Sequence, residues 1–345
     1  MKLAEFKFRY ICLAAAVILC VCALSGSVFC QDASADKTPN IVIMTMLGVR
    51  NCDSIADPTH QYIPNLWHTL FKEGTLYTEL VNSNNEFHFP PIYAIFTGVN
   101  YPFYGGPLRH PSIFQYVRKR YNLPQSKVWS IGNWYNKDYA LETDAYPEKT
   151  FPCKWSVLEP SMPEQLKGIL TKQELIFLER FSEVVKSSPE HWPNWDSLGK
   201  AQYRIFIRIM KELKPKLAHY VLGDVESAHS DTFGRYVLAL KDCDEMINQT
   251  WEFLQRDPYY KDKTYFIVAI DHGRNLYFDD HYEDAYSGSE RVWFYIRGPG
   301  IKKGTVIKRP VYHVDIFATL AHIMDIQTHR TQGRVLSDCF ESARR

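Results

Sequence analysis

Residues 265–275 read YFIVAIDHGRN, and the fold turns on how this stretch is parsed. Tyr265 to Ile270 is a short apolar run with no polar alternation, the pattern of a strand buried on both faces in a parallel sheet. Asp271 and His272 stand where that strand ends. Ligands of open α/β sheets sit beyond the carboxyl ends of the strands. A buried Asp at such a place needs hydrogen bonds or a cation to offset desolvation.

The same reading extends outward. Asn40 to Leu47 (NIVIMTML) is a second buried strand, broken by Gly48. Thr75 to Val81, Lys127 to Ile131, Ala218 to Leu222 and Val292 to Arg297 are further strands. Between them, helical periodicity covers Pro64 to Glu73, Pro90 to Thr97, Ser112 to Tyr121, Asp231 to Arg256 and Val314 to Met324. Strands alternating with helices predict an α/β fold, with a mainly parallel central sheet and helices on both faces. Residues from about 155 to 215 interrupt the rhythm. Thr171 to Lys186 and Leu198 to Leu213 read there as two amphipathic helices, a helical insertion in a single domain spanning 37–345. Trp192 and Trp195 lie in the turn between them, where packing of the helical pair is favoured over a pocket mouth.

Composition narrows the function classes. The 345 residues are 46% hydrophobic, enough for one large core. Forty Lys and Arg against 39 Asp and Glu leave a net charge of +1, which gives no reason to expect a nucleic-acid partner. Residues 1–36 differ from the rest. Lys2, Lys7 and Arg9 precede the apolar run Ile11 to Leu24, and Ser25, Gly26 and Ser27 follow it, the order of a secretory signal peptide. The run is shorter than the ~20 residues of a spanning helix, so the expectation is export, to a periplasmic or extracellular location, with no membrane span after cleavage. Cys52, Cys153, Cys243 and Cys339 would remain in the mature chain, as two disulfides or as free thiols.

Five segments, in order, resemble the alkaline phosphatase superfamily, which holds sulfatases and phosphodiesterases. IPNLWHTLFKEGTLYTELV (63–81) resembles a sulfatase stretch, and HFPPIYAIFTG (88–98) resembles the nucleophile segment with its following helix. VAIDHGRN (268–275) resembles the strand and Asp-His-Gly motif that supplies two metal ligands. SERVWFYIRGPGIKKGTVI (289–307) and YHVDIFATLAHIMDI (312–326) resemble the sulfatase strand ending in Arg-Gly-Pro-Gly and the helix after it. The resemblance implies a hydrolase of phosphate or sulfate esters, acting on small-molecule or glycan esters. It implies a divalent metal ion at the strand ends, zinc first, with manganese or calcium as alternatives. Metal there lowers the pKa of a nucleophile and neutralises charge building on ester oxygens.

Carried over residue by residue, the site is incomplete. The ligand Asp expected at the end of the first strand is Leu47, and Asp53 replaces it only with a different loop path; otherwise Asp53 orders the loop. The nucleophile position holds His88, read as catalytic, as a metal ligand or as a polar wall residue. No Thr, Ser or Cys stands between Asn84 and Pro91. In the third motif His229 matches, with Asp224 preferred over Glu226 as its companion. Asp271 and His272 match without adjustment, and His281 in the loop DDHYED completes the set; His313 is the weaker histidine. The predicted metal ligands are therefore Asp224, His229, Asp271, His272 and His281. The alternative is a degenerate, non-catalytic member that binds a ligand or partner; Leu47 and His88 favour it.

Overall fold

Seven consecutive residues of β1, Asn40–Met46, are all buried, because this strand lies mid-sheet with a parallel neighbour on each side. The structure is a computed structural model; it describes residues 38–82, 89–100, 110–132, 154–156, 166–187, 195–228, 231–275, 289–328 and 330–342. Within them, Pro39–Arg345 forms one compact unit. The strands are β1 (Asn40–Met46), β2 (Thr75–Val81), β3 (Val128–Gly132), β4 (Lys154–Ser156), β5 (Leu217–Leu222), β6 (Thr264–Ile270), β7 (Arg291–Arg297), β8 (Thr305–Ile307) and β9 (Val311–Tyr312). They make one sheet in the order β4-β3-β5-β1-β6-β7-β2-β8, with β9 also on β2. Only β7 runs against its neighbours β6 and β2.

The helices are α1 (Pro64–His68), α2 (Phe89–Thr97), α3 (Ile113–Tyr121), α4 (Lys172–Ser187), α5 (Trp195–Leu213), α6 (Asp224–Ser227), α7 (Phe233–Arg256) and α8 (His313–Ile323). Adjacent residues of β5 show that both faces are covered, since successive side chains of a strand point to opposite sides. The His219 ring lies 4.6 Å from Phe96 of α2 and 6.3 Å from Phe114 of α3. The next residue, Tyr220, stacks on Phe206 of α5 at 4.9 Å. On that second face Phe266 of β6 stacks on Trp251 of α7. The predicted α/β class, mainly parallel sheet and two-sided helical cover are thus observed.

His219 is a polar group inside this core. Its Nε2 and Nδ1 each lie 2.8 Å from a hydroxyl oxygen, Thr45 Oγ1 on β1 and Ser130 Oγ on β3. Burial pushes its pKa down to about 3, so the ring is neutral, and the rotatable hydroxyls satisfy either tautomer.

Three local features depart from the expected elements. The helix expected over Pro64 to Glu73 is α1 followed by a 3₁₀ turn, Leu70–Glu73. The Leu70 carbonyl accepts the Tyr295 hydroxyl of β7, drawing the second half of the segment onto the sheet. The start of α1 is capped from afar: Asp244 of α7 accepts the backbone N–H groups of Asn65 (2.9 Å) and Leu66 (2.8 Å). Strands β4, β8 and β9 were not expected, being too short to carry a periodic signal. In the region read as a helical insertion, α4 begins with the reciprocal Thr171–Glu174 capping box, and Glu174 also pairs with Arg208 of α5. Cys52, Cys243 and Cys339 are free thiols, so the two-disulfide alternative does not hold; Cys153 lies outside the described residues.

Candidate metal corner at the strand ends

The ends of β5, β1 and β6 lie side by side, and the predicted corner sits there. Met46 pairs with Leu222 on one side and Ile270 on the other, so the next residues along are Leu47, Gly223 and Asp271. Gly48 turns the chain with φ +70°, a left-handed conformation that glycine adopts without strain. That turn aims the Gly48 N–H at Asp271 Oδ1, 3.0 Å away. The same oxygen accepts the His272 backbone N–H at 2.7 Å. Asp271 and His272 are both fully buried.

The protonation of His272 follows from its neighbours. Its Nδ1 lies 2.6 Å from the Gly273 carbonyl, which only accepts, so Nδ1 carries the proton. In the neutral ring Nε2 then presents a lone pair, and it lies 3.5 Å from Asp271 Oδ2. The two atoms are held this close in a fully buried place. Tetrahedral zinc with bonds of ~2.0–2.1 Å places neighbouring ligand atoms about 3.4 Å apart. The pair therefore fits two ligands of one such cation, and the Nδ1–H···O=C bond is the usual outer support of a metal-bound His.

Neighbouring groups frame this corner. His313, at the start of α8, donates from Nε2 to the Ile270 carbonyl (2.9 Å). Burial lowers its pKa, so it stands as a neutral structural histidine under the end of β6. Leu47 is fully buried in the apolar core. Arg50 pairs with Asp53 at 2.5 Å and donates from Nη1 to the Asn275 carbonyl at 3.2 Å. Its guanidinium lies over Phe233 and Tyr236 of α7, and its backbone N–H donates to the Tyr236 hydroxyl. Burial works to lower the Arg50 pKa, but the hydrogen bond and charge of Asp53 outweigh it and the net shift is upward. Of the two paths open to Asp53, the structure therefore has the loop-ordering one. The Arg-x-x-Asp spacing was the sequence signal for this pair.

Asp224 opens α6, and its carboxylate packs on α5. A methyl group added at Gly199 would lie 2.0 Å from Asp224 Oδ2. The structure thus joins Asp271 to His272 and sets Asp224 against a helix. His88, His229 and His281 lie outside the described residues. Among the described residues no group of three or more His, Cys, Asp or Glu converges to hold a metal. Among them, too, no helix is long and apolar enough to cross a membrane.

The profile of the sulfatase family matches residues 61–326, most of the chain. No curated protein matches it. Among solved structures, the phosphonate monoester hydrolase of Silicibacter pomeroyi superposes with a TM-score of 0.60 at 17% identity, covering 89% of this chain and 78% of that one. Ps i-CgsB in complex with k-i-k-neocarrahexaose gives 0.56 at 17% identity, covering 86% and 75%. Murine ectonucleotide pyrophosphatase/phosphodiesterase 5 gives 0.56 at 11% identity, covering 88% and 100%. These similarities speak for the fold.

Proposed function

This chain belongs to the sulfatase family, and from that premise we propose that it is an exported, metal-dependent hydrolase of phosphate or sulfate esters with an atypical site. The observation that carries the proposal is the buried Asp271–His272 pair, with Oδ2 and Nε2 3.5 Å apart at the end of β6. A divalent cation bound there supplies Lewis-acid polarisation of an ester oxygen and offsets negative charge in the transition state. Asp271 contributes one charged oxygen, while its other oxygen is held in place by two backbone N–H groups. His272 contributes Nε2, with its tautomer fixed by the Gly273 carbonyl. His229, His281 and Asp224 complete the proposed ligand set, with zinc first and manganese or calcium as alternatives. His88, immediately ahead of α2, is the proposed catalytic group beside the ester.

The substrate class is a small-molecule or glycan ester. The carbohydrate bound to Ps i-CgsB, a chain of the same fold, supports the glycan option. Export rests on the signal-like order of residues 1–36. A second reading, a non-catalytic member that binds a ligand or partner, is favoured by the buried Leu47 and by the lack of Thr, Ser or Cys between Asn84 and Pro91. Metal analysis of the purified mature protein, beside His272→Ala and His88→Ala, tests the proposal. Stoichiometric metal lost in His272→Ala, with turnover of aryl phosphate or sulfate esters lost in His88→Ala, is the expected result. Metal-free wild type refutes the hydrolase. Bound metal with an inert ester panel favours the second reading.

A further inference from the structure

We propose that Asn248 is an N-glycan acceptor, open while the chain enters the secretory route and closed once α7 has folded. The inference rests on the export part of the reading above and needs neither metal nor turnover. Asn248-Gln249-Thr250 is the one Asn-x-Ser/Thr sequence among the 345 residues, and its middle residue is not proline. It falls within α7 (Phe233–Arg256). Residues three, four and seven apart share one face of a helix, so Asn248 stands in line with Lys241, Glu245 and Glu252. Lys241 and Glu245 are exposed, and Asn248 and Glu252 are half-buried. The Asn248 amide donates along this stripe to Glu252 Oε1, 3.2 Å away. Glu252 in turn accepts from Arg256, whose side chain is 77% exposed. The acceptor nitrogen therefore lies at the water-facing border of α7, and after transfer it keeps one N–H for Glu252.

Thr250 has the opposite setting. It is fully buried, its hydroxyl donates to the Met246 carbonyl at 2.8 Å, and the Tyr203 hydroxyl of α5 lies 3.0 Å away. Residues two apart point about 200° apart around a helix, so folded α7 cannot present the Asn amide and the Thr hydroxyl together. Sugar transfer thus precedes the packing of α7 on α5. In the transfer an Asn248 Nδ2–H bond breaks, as does the bond from the anomeric carbon of a lipid-diphosphate-linked oligosaccharide. An N–C bond forms, and the lipid diphosphate leaves with the bonding pair while the proton goes to solvent. Asn248 lies about four helical turns beyond Phe233, ~22 Å along the axis. The Phe233 ring faces Arg50 of the strand-end corner, so the glycan stands well away from that corner.

Expression of the full chain in cultured eukaryotic cells tests the site, with medium and lysate both digested by peptide N-glycosidase and read by gel shift and peptide mass spectrometry. A single glycan at Asn248 is expected. It should be absent in Asn248→Gln and kept in Thr250→Ser, which preserves both the acceptor sequence and the buried hydroxyl. Translation into intact microsomes should also give the modified chain. The folded chain, made without glycan in a bacterial cytosol, should stay unmodified when mixed with detergent-opened microsomes. A secreted chain without glycan, a glycan that survives Asn248→Gln, or modification of the folded chain overturns the inference while export stands. A chain left in the cytosol overturns both.

Discussion

Acidification should weaken the folded state through His219 in a way that one substitution removes. The imidazole lies between Thr45 and Ser130 inside the sheet, and burial pushes its pKa down to about 3, against 6.5 for a free side chain. A histidine whose folded pKa is depressed contributes its full stability above the unfolded pKa. Below 6.5 the unfolded chain binds a proton that the folded chain refuses, so stability falls as pH drops from 6.5 toward about 3. Between about pH 7.5 and about pH 5 the loss from this residue alone is about 2 kcal/mol, from the ratio of protonated unfolded to neutral folded forms. Urea unfolding followed by tryptophan fluorescence, for wild type and His219→Gln, isolates it. Glutamine keeps a donor and an acceptor for the two hydroxyls and does not titrate. The wild-type curve should therefore descend about 2 kcal/mol further than the variant's over that interval. Parallel curves, within about 0.5 kcal/mol, would refute a buried neutral His219.

Three other outcomes follow from particular contacts. Asp244→Ala leaves the Asn65 and Leu66 N–H groups at the start of α1 without their acceptor, and chemical denaturation should show a loss of ~1–3 kcal/mol. Gly98→Ala puts a methyl 2.3 Å from Phe317 Cδ1 at a residue with φ +71°, so the expected loss is at least ~1–2 kcal/mol, seen as a lowered Tm. Asp271→Asn removes the charge facing His272 Nε2 and should weaken metal binding by at least the ~10–100-fold that losing a mere support of a ligand costs, read by equilibrium dialysis, while Glu226→Gln should leave it unchanged.

The elements were legible because they are written in short-range patterns. Mostly apolar runs at 40–47 and 265–270 encode strands buried on both faces, and β1 is buried at every position. Gly48 and Thr171-x-x-Glu174 encode a turn and a helix start through conformations only a few residues wide. The order of five such segments identified the family, and the Asp271–His272 corner could be placed because both residues directly follow a strand.

The pairings within and around that corner belong to the tertiary structure. Asp53 stood in the sequence as a loop residue with two destinies, and Arg50, itself fixed by Tyr236 and Asn275 from distant elements, decides between them. Asp224 stands near a ligand position by sequence offset, and only the approach of α5 brings Gly199 against its carboxylate. His219 reads as one more residue of a strand; only the adjacency of β3, β5 and β1 gives it two hydroxyl partners and a neutral ring. Local backbone preference acts over a turn or a strand and is visible in the chain order. A side chain's partner, charge and tautomer depend on which residues some 90 to 230 positions away arrive beside it, and only the assembled sheet fixes that.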